Sequence, residues 1–191
     1  MGRKSKFDLL LDTAESLFTE SGYNATGINQ ITKAADVATM TLYNNFASKD
    51  DLIVAMLVRR ADRFKALLEA RIAKTPDDPC AQILSIFDVF ETWYRTELKD
   101  AGKFSGCLFI RASLEFQNSS QPVREAAVRH KSDVLAMFEK LLKKSEYSKS
   151  KDLAFEMLML IDGAIAQAQS LENKRSFKRA KSMAIRLLHL D

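Results

Sequence analysis

Helix breakers are scarce in this chain. Its 191 residues hold 6 Gly and 3 Pro, and Pro76 and Pro79 fall in one short stretch, so there are few places where a helix must stop. Between those places apolar residues recur at helical spacing. Phe7, Leu10, Leu11, Ala14, Leu17 and Phe18 stand at i, i+3, i+4, i+7, i+10 and i+11, which is one face of a helix. Gly22 then closes it as a C-cap glycine. A hydrophobic share of 47% and a charged share of 28% lie close to soluble averages and exclude a disordered or collagen-like chain. The expected fold class is all-α, with about nine helices delimited by their stop and start signals.

The punctuation continues along the chain. Thr26 is an N-cap candidate before Ile28, Ile31, Ala34 and Ala35. Asp36 interrupts that segment, and Asp accepts the left-handed backbone better than most residues, so a tight turn through Asp36, Val37 and Ala38 is feasible. A third short segment covers 39–45. Ser48 with Asp51 three residues later resembles a capping box and opens a long helix to 73, which Pro76 stops. Asp78 and Pro79 restart a helix as N-cap and N1, expected to run to Gly102. Further helices are expected over 107–117, 122–144, 149–170 and 176–189. No internal repeat or heptad array is present.

Two short helices joined by a tight turn, 28–35 and 39–45, make a helix-turn-helix unit braced by the first helix. Ile28, Ile31, Ala35, Val37, Leu42 and Phe46 would form its small core. That leaves Thr39, Met40, Thr41, Asn44 and Asn45 as a polar, short-chain outer surface suited to a major groove, where hydroxyls bond base edges and a methyl group meets the thymine methyl. Tyr43 and Lys49 add a phenol and an ammonium for phosphate oxygens.

These residues are familiar as a set. The run Gly22-Tyr23-Asn24-Ala25-Thr26-Gly27-Ile28-Asn29-Gln30-Ile31, then Ala34-Ala35-Asp36-Val37, then Thr41-Leu42-Tyr43-Asn44-Asn45-Phe46-Ala47-Ser48-Lys49-Asp50-Asp51-Leu52, closely resembles the TetR family of transcriptional regulators. The resemblance covers about residues 7–57, an extent that spans the whole helix-turn-helix unit. It implies a homodimeric nine-helix repressor with a DNA-binding domain over 1–50 and an effector-binding and dimerisation domain over 51–191. By the same resemblance, Thr26 would cap the second helix against a phosphate beside Gly27. Thr39 and Thr41 would sit at the groove, and Tyr43 and Lys49 would hold phosphates; Gly27, Met40, Asn44 and Asn45 complete the candidate DNA-binding set. The chain departs from the family pattern at Met40 and Asp36, where Gly is common, and at Asn45, where an aromatic residue or His often stands.

Charge alone would mislead here. The formal net charge is +4, yet residues 1–50 hold five basic and six acidic side chains. The excess lies elsewhere, much of it in Lys174, Arg175, Lys178, Arg179, Lys181 and Arg186. That cluster reads either as a solvated helix face or as a second nucleic-acid contact. Arg3, Lys4 and Lys6 precede the first helix and read either as an arm for the minor groove or as a solubilising tail.

In the remainder, Gly106-Cys107-Leu108-Phe109 with Ala112 and Glu115 looks like a pattern within the same family, in the helix that lines the effector cavity. Phe64, Phe90, Trp93 and Tyr94 read either as ordinary helical core or as aromatic surface for a small, apolar or aromatic effector. Cys107, Arg111, Leu114 and Asp162 are the remaining candidate lining residues. Cys107 reads either as a small buried hydrophobe or as a thiol sensitised by Lys103 and Arg111. Met157, Leu158, Ile161, Ile165 and Ala168 on one helix, with Ala184, Leu187 and Leu188 on the last, read either as the dimer interface, since the family pairs these two helices in a four-helix bundle, or as intramolecular core.

Other classes find little support. Cys80 and Cys107 make no disulfide framework and no zinc spacing, which points to a reducing compartment. The start carries charges but no apolar stretch for a signal peptide, and the most apolar run, 153–168, is broken by Glu156, Asp162 and Gly163. A cytoplasmic protein without membrane, metal or cofactor is therefore expected. His130 and His189 belong to no catalytic motif, so an enzyme is not expected. The reading is a DNA-binding regulator, most simply a ligand-responsive repressor on a palindromic operator; an activator or a ligand-independent regulator would share the same DNA-binding residues.

Overall fold

The computed structural model describes residues 5–95, 98 and 101–190. Arg3 and Lys4 of the expected arm lie outside them. Among the described residues there are nine helices and no strand: α1 (Lys6–Ser21), α2 (Ile28–Ala34), α3 (Thr39–Tyr43), α4 (Lys49–Ala73), α5 (Pro79–Tyr94), α6 (Leu108–Glu115), α7 (Gln121–Lys144), α8 (Ser150–Ser170) and α9 (Ser176–Leu187). None is long and apolar enough to cross a membrane.

Local chemistry sets most of these ends. The Ser5 hydroxyl accepts from the Asp8 amide at 3.0 Å, so Lys6 opens α1 rather than preceding it. Gly22 ends α1 at φ +88°, a left-handed value that suits glycine, and its amide returns to the Phe18 carbonyl. Asp36 takes φ +51° in the turn before α3. Ser48 Oγ accepts from the Asp51 amide at 3.1 Å and donates to the Asp51 carboxylate at 2.9 Å, opening α4. Asp78 accepts from the Cys80 amide at 2.9 Å ahead of Pro79.

One expected end moved substantially. The helix expected to reach Gly102 stops at Tyr94. Past that end, the Trp93 indole N–H donates to the Gly102 carbonyl at 3.0 Å, and Gly102 has φ +71°, so this tether and a left-handed residue turn the following chain back toward α5.

The chain divides into two compact units. One holds the residues up to Ala61 together with Leu108–His130; the other holds Asp62–Cys107 and everything from Lys131. The boundary expected after residue 50 thus falls eleven residues later by packing, and α6 with the start of α7 joins the first unit.

In the first unit, α1 buries Leu10, Leu11, Ala14 and Phe18 together with Ile31, Leu42, Leu52, Ile53 and Met56. A polar pair sits beside them. Arg60 on α4 is only 2% exposed and pairs with Glu15 on α1, while the neighbouring Arg59 bonds Asp12 at 2.7 Å. In the second unit, α8 packs on α9 and α5 on α9 around Phe87, Phe138, Met157, Ile161 and Phe177. Asp88 on α5 takes an ammonium from Lys181 on α9 and a guanidinium from Arg71 on α4.

A buried cation that loses its facing carboxylate is costly. Glu15→Ala is expected to lower the unfolding free energy of the chain by roughly 3–5 kcal/mol, read as a shifted urea midpoint; a shift below about 1 kcal/mol, the level of an exposed pair, would contradict this role.

Candidate nucleic-acid interface

Helix α3 is five residues long, too short to hold its shape without packing. It is fixed by Leu42, which is fully buried, and by Phe46 just beyond it. Every other side chain of α3 is left toward the outside. Thr39, Met40 and Tyr43 are exposed and Thr41 is half-buried; Met40 shows 68% and Tyr43 49% of its surface. Asn44 and Asn45 continue this exposed surface, and the Asn45 amide donates to the Thr41 carbonyl at 2.7 Å. Exposed apolar and aromatic side chains on a short polar helix match what a major groove takes.

Behind α3 the turn between α1 and α2 is held by a polar cage. Helix α6 contributes most of it. The Glu115 carboxylate accepts from the backbone amides of Tyr23 (3.3 Å) and Asn24 (2.7 Å). The Arg111 guanidinium donates to the carbonyls of Phe18 (3.0 Å) and Thr19 (3.4 Å) at the end of α1. The Tyr23 ring is fully buried near Phe18 and Phe116, and its hydroxyl donates to the Leu108 carbonyl at 3.0 Å. Lys49 Nζ donates to the Tyr23 carbonyl at 2.7 Å. Burial pushes the Lys49 ammonium below the ordinary lysine value, while Asp50 and Glu115 pull the other way.

Several expected placements change. Thr26 is not the N-cap of α2; Gly27 is, and it is exposed. The Thr26 side chain is fully buried because its hydroxyl donates to the Gly22 carbonyl at 2.7 Å, so it faces the turn and not a phosphate. Lys49 stands half-buried with its ammonium on the turn. Arg111, expected to line an effector cavity, caps α1 instead, and Leu114 beside it is 71% exposed. Glu115 entered the sequence reading only as part of a family pattern. The sequence signals the need without naming Arg111: α1 has no basic residue in its last turn to meet its terminal carbonyls.

The second unit gathers part of the expected effector set. Phe64, Phe90 and Trp93 are buried together, with ring centroids 5.1 Å apart for Phe64 and Trp93 and 6.1 Å for Phe64 and Phe90. Phe104 joins them at 4.8 Å from Trp93 and 5.0 Å from Tyr94. Cys107 is half-buried against the same core. Asp162 is taken by Lys131. Arg111 and Leu114 belong to the other unit.

The expected dimer residues also need correcting. Met157, Ile161, Ile165, Ala168, Ala184 and Leu188 are all buried in the chain's own core, and Leu158 and Leu187 are half-buried against it. The apolar side chains that α8 and α9 leave open are Phe155, Met159 and Met183, at 57%, 59% and 45% exposure. Met159 and Met183 border a groove of about 280 Å³ with Gly163, Gln167, Asn173 and Arg179.

Comparison with known proteins agrees with this geometry. The family described as "Bacterial regulatory proteins, tetR family" matches residues 10–56, and the family "Tetracyclin repressor-like, C-terminal domain" matches residues 79–184. The chain belongs to the TetR family of transcriptional regulators. It is similar to the HTH-type transcriptional repressor ComR of Escherichia coli, 40% identical over 73 residues that cover 37% of this chain and 35% of that protein. It is similar also to the HTH-type transcriptional repressor NemR of Escherichia coli, 27% identical over 136 residues, 70% of this chain and 65% of that protein. The chain thus spans less than two thirds of either relative. The crystal structure of a TetR-family regulator from Streptomyces coelicolor superposes with a TM-score of 0.82 at 27% identity, covering 96% of this chain and 98% of that one.

The burial of Thr26 gives a test of its role. Thr26→Val keeps the shape and removes the donor to Gly22, so unfolding free energy should fall by about 1–3 kcal/mol in chemical denaturation. Unchanged stability with weakened DNA binding would restore the phosphate role.

Proposed function

We propose that the chain is a ligand-responsive repressor that binds a palindromic operator as a homodimer and is released by a small apolar or aromatic effector in the cytoplasm. The observation that carries this reading is the α3 surface: one side chain inward at Leu42, and Thr39, Met40, Tyr43, Asn44 and Asn45 outward or at the edge. Thr39, Met40 and Thr41 would meet base edges, with Tyr43 and the exposed end of α3 at the phosphates. The repressor reading draws on the similarity to ComR and NemR, both repressors by name.

A single copy presents one such helix, and five residues in one groove read too few bases to find a site in a genome. Two copies related by a two-fold axis read a palindrome with half-sites about one helical turn, ~34 Å, or a multiple apart. The open α8–α9 face, with Met159 and Met183 at the groove and Phe155 exposed on α8, is the surface proposed to join them. The effector class follows from the aromatic cluster of Phe64, Phe90, Trp93 and Tyr94. Its binding would shift the population of dimers between a spacing that fits the operator and one that does not.

Selection of duplexes from a randomised library by the full chain tests this reading. The expected product is one palindromic sequence. Phe155→Glu with Met159→Glu should then yield a monomer by ultracentrifugation that binds the palindrome at least about tenfold more weakly, having lost the second half-site. Enrichment of a non-palindromic sequence, or a double variant that stays dimeric, would contradict the arrangement.

A further inference from the structure

We propose that Arg111 and Glu115 are positioning residues for DNA recognition, which makes helix α6 a working part of the DNA-reading unit although 92 residues separate it from the turn it holds. The proposal rests on the DNA-binding reading of α3 and adds to it a set of residues outside the matched segment 10–56.

The need arises in α1. Its last turn leaves carbonyls without helical partners, and its own sequence offers no basic side chain there. Gly22 returns one amide to Phe18. Arg111 supplies the missing cation from α6, with one nitrogen donating to both Phe18 and Thr19. Four residues on, and therefore on the same face of α6, Glu115 receives the two amides of the turn that follows. Its fit there is close: a methyl group added to Gly22 would stand 3.0 Å from Glu115 Oε1. At the start of α6, Leu108 offers its carbonyl to the Tyr23 hydroxyl. Three polar groups along one helix therefore hold the end of α1 and the first half of the α1–α2 turn, with Phe109 and Ala112 buried on the same helix and Phe116 buried just beyond it.

That turn decides where α2 begins, and α2 carries the short α3. Hydrogen bonds to base edges fail once donor and acceptor drift by a few tenths of an ångström, whereas attraction to phosphates depends on charge and survives such drift. A loosened turn should therefore cost sequence discrimination and spare non-specific binding. This signature separates positioning from the two simpler roles. General destabilisation lowers both kinds of binding. A direct phosphate contact by Arg111 would lower the salt slope by about one when removed. For Glu115 even the sign differs, since deleting a carboxylate near DNA should on electrostatic grounds strengthen binding, while positioning predicts a loss of specific binding.

The experiment uses the full chain, the duplex that the unsubstituted chain enriches from a randomised library, and a scrambled duplex of the same length. Affinities are read by fluorescence anisotropy across a salt series, beside thermal melting of each variant. Glu115→Ala and Arg111→Ala should each weaken binding to the selected duplex about tenfold, the worth of one base contact. Affinity for the scrambled duplex should hold or rise for Glu115→Ala, and the salt slope of Arg111→Ala should not change. Arg111→Lys, which keeps a cation able to reach both carbonyls, should restore most of the discrimination. Tyr23→Phe removes a single hydroxyl and should cost about fivefold, which keeps the test open if an alanine variant fails to fold. Variants that retain the ratio of selected to scrambled affinity, or that lose both affinities together, overturn the proposal while leaving the regulator reading intact. An unsubstituted chain that enriches no duplex overturns the regulator reading and this proposal with it.

Discussion

The end of a helix is a set of unpaired polar groups, and in the first compact unit the end of α1 satisfies its own only in part, through the Gly22 amide on Phe18 and the Thr26 amide on Tyr23. Ser21 and Gly22 give way to a turn whose amides at Tyr23 and Asn24 and whose carbonyls at Phe18, Thr19 and Tyr23 all find partners far away in sequence. Arg111, Glu115 and Lys49 bring further partners to these groups from elements distant in the sequence. From this one requirement the arrangement of the unit follows: α6 and the start of α4 converge on the turn, α2 starts at a fixed point, and α3 is held with its polar surface outward. The Glu15–Arg60 pair fastens α1 to α4 on the same unit.

On the proposed reading, recognition would depend on shape more than on charge. The segment that carries α3 is slightly acidic overall, and the chain's basic excess sits largely on and just before α9. On that reading, a short helix with exposed Met40 and Tyr43 would read by contact with base edges and methyl groups. Lys49, spent on the Tyr23 carbonyl, would contribute to that contact by holding the turn. An interface of this kind discriminates well only if it is held rigidly, which gives the polar cage behind it a reason to exist.

The sequence carried the helices and the helix-turn-helix because both are written locally. The spacing of Leu10, Leu11, Ala14 and Phe18, the caps at Gly22, Ser48 and Asp78, and the left-handed Asp36 depend on neighbours a few residues away. Thr26 was harder. Thr and Gly are both acceptable N-caps, and what decides between them is the Gly22 carbonyl, which comes within reach only after α1 has ended and turned. Arg111 and Glu115 lay beyond local reading, since their partners stand 91 to 93 residues away. The proposed dimer face was obscured for another reason. Helix α8 is apolar on more than one side, so Met157, Ile161 and Ile165 look like an interface until the chain's own core claims them, leaving Phe155 and Met159 outside. The aromatic residues Phe64, Phe90 and Trp93 were legible as a group, but packing gives them to one another.

Amide hydrogen exchange of the full chain, with and without the duplex it selects, tests most directly whether the surface of α3 is the one that reads DNA. The account predicts added protection across residues 27–45 when the duplex binds, and no change across α9, where the basic side chains cluster. Protection gained on α9 with α3 unchanged would contradict it and move the DNA contact to the charged face.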